Sequence, residues 1–121
     1  MPQNTDPGTA TVAQIARHWG LTPPTVRNLL KRTDTAPVSA GPKRYRWRDI
    51  WALEGARYVP RADEAEFLRP LLTPTEVGRI FPHLKPRTIT DRALKGSLPA
   101  IRLGTDWRFR ECDIRKAAIL G

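Results

Sequence analysis

Between residues 95 and 109 the chain changes its period. Up to Lys95 apolar residues recur at helical spacing. From Leu98 onward they alternate with polar ones, through Ile101-Arg102-Leu103 and again through Trp107-Arg108-Phe109. Gly96 stands where the first pattern stops, and Gly104-Thr105-Asp106 where the second turns back. A period near 3.6 giving way to a period of 2 predicts a helix, a stop and a tight two-stranded hairpin, in that order.

The same plan is legible a second time. Thr11, Ile15, Ala16, Arg17 and Trp19 recur 62 residues later as Thr73, Val77, Gly78, Arg79 and Phe81. Pro23, Thr25 and Val26 recur as Pro86, Thr88 and Ile89. Gly41, Tyr45, Arg46 and Trp47 recur as Gly104, Trp107, Arg108 and Phe109. The chain is therefore read as a duplication: a mainly α protein with small β-hairpins, built from two tandem units at residues 11–55 and 71–121. Residues 1–10 are expected to be a disordered tail. Residues 56–70 are expected to be a linker with a short helix near 63–68 that packs between the units, since Tyr58, Val59, Phe67 and Leu68 are too apolar for a flexible tether.

Each unit opens with helix signals. Thr11 with Gln14, and Thr73 with Glu76, each have the spacing of a capping box. Val12, Ile15, Ala16 and Trp19 make one apolar face, and Gly20 is the stop. Thr22, with Pro23 and Pro24 behind it, starts a second helix running to about Arg32 that buries Val26, Leu29 and Leu30. Its other face carries Thr25, Arg27, Asn28, Lys31 and Arg32. In the second unit Val77, Ile80 and Phe81 face the core, Pro82-His83-Leu84 turns, and a helix over residues 85–95 is expected to bury Ile89, Ala93 and Leu94. It exposes Lys85, Arg87, Thr88, Thr90, Asp91, Arg92 and Lys95. In the first unit, residues 36–38 and 44–47 are expected to pair around Ser39-Ala40-Gly41-Pro42, with Lys43, Arg44 and Arg46 at the tip and flank. A short helix from Asp49 returns Ile50 and Leu53 to the core, with help from Trp51, and the last helix of the chain uses Ile114, Ala117, Ala118 and Ile119 or Leu120.

Charge points to a partner class. The 21 Lys and Arg exceed the 12 Asp and Glu by nine. Residues 11–55 and 71–121 each hold an excess of five, whereas residues 56–70 balance at zero. An excess of this size favours an anionic partner through counterion release. Catalysis finds no support, for there is no carboxylate pair, Ser/His/Asp set or glycine-rich phosphate loop. Cys112, the single cysteine, reads as a small buried side chain, and His18 and His83 as packing or surface residues, so neither metal nor cofactor is expected. The aromatic residues Trp19, Trp47, Trp107, Phe81 and Phe109 have core spacing, and Trp51 looks exposed. The first residues lack signal-peptide features and no apolar run has membrane-spanning length, so a cytoplasmic, nucleoid-associated bacterial or phage setting is expected.

With these residues in place, the second half resembles the excisionase-type winged helix-turn-helix family, a branch of the MerR-like DNA-binding fold. The likeness is carried by Leu72-Thr73 with Glu76, then Pro86-Arg87-Thr88-Ile89, then Gly96-Ser97-Leu98-Pro99-Ala100-Ile101-Arg102-Leu103-Gly104. Trp107-Arg108-Phe109 and Asp113-Ile114 complete it. The first half is similar through Ile15-Ala16, Pro24-Thr25-Val26-Arg27 and Arg44-Tyr45-Arg46. It has Thr33-Asp34-Thr35 where the second has the Gly-x-Leu-Pro entry. The resemblance implies that the second helix of each unit lies in a major groove and that a hairpin wing, with Arg102, Thr105 and Arg108 in the second unit, lies beside it.

The resulting expectation is a sequence-specific protein for double-stranded DNA. Arg27, Asn28 and Arg92 are the expected base readers, and the other cations grip phosphate. Two units in one chain would act as a built-in dimer across major grooves about 34–36 Å apart, as a monomer or a weak DNA-assisted oligomer. The roles that fit are recombination directionality factor (excisionase) and transcriptional regulator of a mobile element. A phage terminase small subunit is an alternative, as is a protein-interaction module in which one unit docks a recombinase or RNA polymerase.

Overall fold

A computed structural model describes residues 7–120, with the backbone alone at Ala40 and 118–120. It divides into two compact units, one reaching to Arg69 and the other starting at Pro70. Both are mainly helical, and each carries a small antiparallel hairpin.

The first unit begins with strand β1 (Thr9–Ala10), helix α1 (Val12–Trp19) and helix α2 (Pro23–Arg32). Strands β2 (Ser39–Ala40) and β3 (Lys43–Arg46) follow, then α3 (Trp47–Leu53), a 3-10 turn (Arg61–Asp63) and α4 (Glu64–Phe67). The capping box at Thr11 is formed: Gln14 N donates to Thr11 Oγ1 at 3.2 Å and Thr11 N to Gln14 Oε1 at 2.8 Å. Gly20 closes α1 with φ of 66°, a left-handed value at which a side chain would be strained. Ile15, Ala16 and Trp19 of α1 meet Val26, Leu29 and Leu30 of α2, and Tyr45, Ile50 and Trp51 complete the core.

Three sequence expectations are corrected in this unit. Of the tail, residues 1–6 lie outside the described residues, but Thr9 and Ala10 form a strand. They pair with Arg46 and Tyr45, and Ala10 is fully buried. The sheet order is thus β1-β3-β2. The hairpin strands are shifted from those expected: Ser39 pairs with Arg44 and Ala40 with Lys43, leaving Gly41-Pro42 as the turn. The first unit ends at Arg69 and not at residue 55, and the short helix expected near 63–68 is α4. Trp51 is 1% exposed, its indole N–H donates to Phe67 O at 3.0 Å, and the Phe67 ring stands edge-on to it at 5.9 Å.

The core of this unit also holds a polar cluster. Glu54, at the C-terminal end of α3 and 7% exposed, receives the Trp19 indole N–H at 2.8 Å on Oε2. The same oxygen lies 2.7 Å from Nε2 of His18, which is 3% exposed. Trp47 stands edge-on to the His18 ring at 5.1 Å and stacks on Trp51.

The end of α2 shows how the first unit manages without a glycine stop. Thr33 Oγ1 donates to Leu29 O at 2.7 Å, and Thr35 N to Leu30 O at 2.9 Å. Between them Asp34 adopts a left-handed φ of 57°. In the second unit Gly96 does the same with φ of 79°, and Ser97 N donates to Arg92 O at 3.0 Å. Asp34 therefore fills the post held by Gly96, and Asp is among the few residues that accept it. Left-handed geometry costs an L-residue roughly 1–2 kcal/mol, part of which glycine returns as chain entropy. Asp34→Gly is accordingly expected to stabilise the protein by about 0.5 kcal/mol, raising the melting temperature by roughly 2–4 °C. A lower melting temperature would show that the Asp34 side chain contributes more than its backbone strain costs.

The second unit runs α5 (Pro74–Ile80), α6 (Pro86–Lys95), β4 (Ile101–Leu103), β5 (Asp106–Arg108) and α7 (Glu111–Leu120). Thr73 and Glu76 form the expected capping box. Val77, Ile89, Ala93, Leu98, Phe109 and Ile114 make the core, with Ile80, Phe81, Leu84 and Trp107 packed against it. The chain ahead of α5 joins the hairpin as β1 does in the first unit: Leu72 and Phe109 exchange backbone bonds of 2.7 and 2.9 Å. One apolar assignment fails here, since Leu94 is 71% exposed. The side chains assigned to the last helix beyond Ala117 lie outside those described. No helix among the described residues is long and apolar enough to cross a membrane.

Candidate nucleic-acid interface

Each unit packs its second helix across a shorter first one and leaves the outer side bare. On α2 that side carries Arg27, Asn28, Lys31 and Arg32, all exposed. Thr25 is half-buried, and its hydroxyl is 2.9 Å from that of the N-cap Thr22, so it serves the start of the helix. On α6 the exposed side chains are Arg87, Asp91, Arg92, Leu94 and Lys95, with Lys85 exposed at the N-cap and Thr88 half-buried. The Thr90 hydroxyl donates to Arg87 O at 2.9 Å.

Not every cation in these sets needs a ligand to explain it. Lys31 and Arg32 sit in the last turn of α2, and Arg92 and Lys95 in that of α6. Positive charge there is favoured by the helix dipole itself, by about 0.3–1 kcal/mol each. Arg27 lies in mid-helix and gains nothing of the kind. Arg87 stands in the first turn, where a cation opposes the dipole. Neither helix has an acid in its first turn, whereas α5 has Glu76 there. The N-terminal ends of α2 and α6 thus keep the positive field that suits phosphate.

The hairpins divide their cations by strand alternation. Successive β3 residues point to opposite faces. Lys43 and Tyr45 border a cleft of about 340 Å³ with Arg27, Leu30 and Lys31, so helix and hairpin bring three cations to one rim. Arg46, on the other side, borders a different cleft with Asp34 and Asp49. Arg44 is engaged within the unit: its Nε donates to Thr9 Oγ1 at 2.8 Å and its Nη2 to Thr9 O at 3.1 Å. Of the three hairpin cations expected to face a ligand, Lys43 alone joins those of α2.

The second hairpin is corrected in the same way. Arg108 is 7% exposed and its Nη1 donates to Trp107 O at 2.7 Å, so it is a structural residue of the ladder. Arg102 is exposed, with its guanidinium 4.6 Å over the Trp107 ring and its Nε donating to Gly104 O at 3.0 Å. This fixes one arginine beside the turn, where Thr105 is also exposed. Arg92 lines a groove with Ile80, Phe81, His83, Leu84 and Leu98, on the flank of α6 and away from Arg87 and Asp91. Trp51, which looks exposed from sequence, is buried. No family model, curated protein or solved structure matches this chain.

Proposed function

We propose that this chain binds double-stranded DNA through both units, as a tandem pair of winged helix-turn-helix modules of the excisionase and MerR-like type. α2 and α6 enter the major groove, and the hairpins lie along the flanking phosphates as wings. Occupancy and shaping of DNA are then the whole activity, as suits a recombination directionality factor or a regulator of a mobile element. DNA selection of the kind made by a phage terminase small subunit uses the same surfaces.

The observation that carries this reading is the convergence of Arg27 and Lys31 from α2 with Lys43 from the hairpin around one cleft. Arg27 is the informative member, since neither helix electrostatics nor an ion pair given by the structure accounts for it. The test is fluorescence anisotropy on duplexes taken from DNA flanking the protein's own gene. Arg27→Ala is expected to weaken binding to the preferred site by about 1–3 kcal/mol, roughly five- to over a hundredfold, as for a bidentate guanine contact. Unchanged affinity would mean that the first unit does not read DNA.

A further inference from the structure

The two second helices carry different chemistry on their outer sides. Pro86 opens α6 as Pro23 opens α2, an offset of 63 residues. At this offset the outward positions of α2 are Pro24, Arg27, Asn28 and Lys31, and those of α6 are Arg87, Thr90, Asp91 and Leu94. Leu94 is 71% exposed. At about 100° per residue it stands within roughly 60° of both Arg87 and Asp91, and about 100° from the buried Ala93.

A single exposed leucine is ordinary on a protein surface. Its neighbours change the weighing here. A face made only to grip phosphate gains nothing from Leu94 and is opposed by the Asp91 carboxylate. Both side chains do have partners among base edges in the major groove: a carboxylate accepts from cytosine N4, and an apolar group packs on the thymine C5 methyl. Three residues of helix rise about 4.5 Å, close to the 3.4 Å between stacked bases, so the two contacts fall on neighbouring base pairs.

We propose that Leu94 is a specificity-determining residue of the second unit, reading a thymine methyl beside a cytosine contacted by Asp91. This rests on the duplex-binding reading above. It has a corollary for the site. Because α2 has Lys31 at the position of Leu94, the units recognise different sequences, and the target is neither a direct nor an inverted repeat.

The experiment first selects the preferred duplex of the whole protein from a randomised library. Each thymine in it is then replaced by deoxyuridine, which removes the methyl and nothing else. One such replacement is expected to weaken wild-type binding about fourfold, the value of one buried methyl at roughly 0.8 kcal/mol, and to leave Leu94→Ala nearly unaffected. Leu94→Lys, which copies the first unit, should lose methyl sensitivity while keeping affinity. Both variants substitute an exposed residue, and their folding is to be checked by thermal melts. If no replacement affects wild type, or if the variants keep the same sensitivity, the inference fails. When that happens while binding stays salt-dependent and is weakened by Arg27→Ala, only the role of Leu94 is lost. Absence of duplex binding by wild type would remove both readings.

Discussion

Affinity for a duplex of about 30 base pairs is expected to fall by roughly a thousandfold or more between 50 and 200 mM salt. The magnitude follows from the exposed cations. Arg27, Lys31, Arg32 and Lys43 in the first unit and Arg87, Arg92, Lys95 and Arg102 in the second are all exposed. If about six of these meet phosphates, the logarithm of affinity falls with that of salt at a slope near −5, since each contact adds about −0.9. Removing Lys31 and Lys43 together should flatten the slope by about two of those increments. Arg44→Ala should not alter it, because that guanidinium already holds Thr9. This contrast separates cations that meet DNA from cations that hold the fold. A slope shallower than about −2 would mean that the helix and hairpin faces do not engage a duplex together.

The sequence carried the local physics well and the long-range physics poorly. Both capping boxes, the left-handed stop at Gly96 and the apolar faces of α1 and α2 are short-range features, and each was legible from spacing. Strand β1 was not. Thr9 and Ala10 have no alternating pattern of their own, and they form a strand because Tyr45 and Arg46, distant in sequence, offer a free edge. The same pairing explains Arg44: beside a lysine and another arginine it reads as a ligand-binding cation, yet the N-terminal strand supplies its partner.

Leu94 and Arg108 fail for a related reason. The buried arc of α6 is narrow, bounded by Ile89 and Ala93, so a leucine one residue further along already faces outward. In the hairpin, alternation correctly separated Trp107 from its neighbours but did not say which face the unit covers. Glu54 gave no local signal, being an acid at the end of a helix. Its meaning depends on His18 and Trp19, which lie in α1, four elements earlier in the chain. Only the short β3 alternation of Lys43 and Tyr45 against Arg44 and Arg46 held enough information to foresee which hairpin cation joins α2.

Glu54→Ala is expected to be among the most damaging single changes in the first unit. Its Oε2 meets two buried ring nitrogens, the Trp19 Nε1–H at 2.8 Å and His18 Nε2 at 2.7 Å. An indole N–H can only donate, and Trp19 is fully buried, so without Glu54 that group has no water to turn to. Each orphaned polar group costs about 1–3 kcal/mol, and the space left by the side chain adds a cavity term. Together these give roughly 3–5 kcal/mol, which for a unit of this size lowers the melting temperature by about 15 °C or more. Glu54→Gln keeps an acceptor oxygen and should lose less than half as much. The double variant His18→Leu with Glu54→Leu supplies apolar volume and removes one orphan, but Trp19 still lacks its acceptor, so recovery should be partial. Melts followed by circular dichroism decide the matter. If Glu54→Ala melts within about 2 °C of wild type, the carboxylate is not what holds α1 to the end of α3. Stability would then rest on the ring contacts that run from His18 through Trp47 and Trp51 to Phe67.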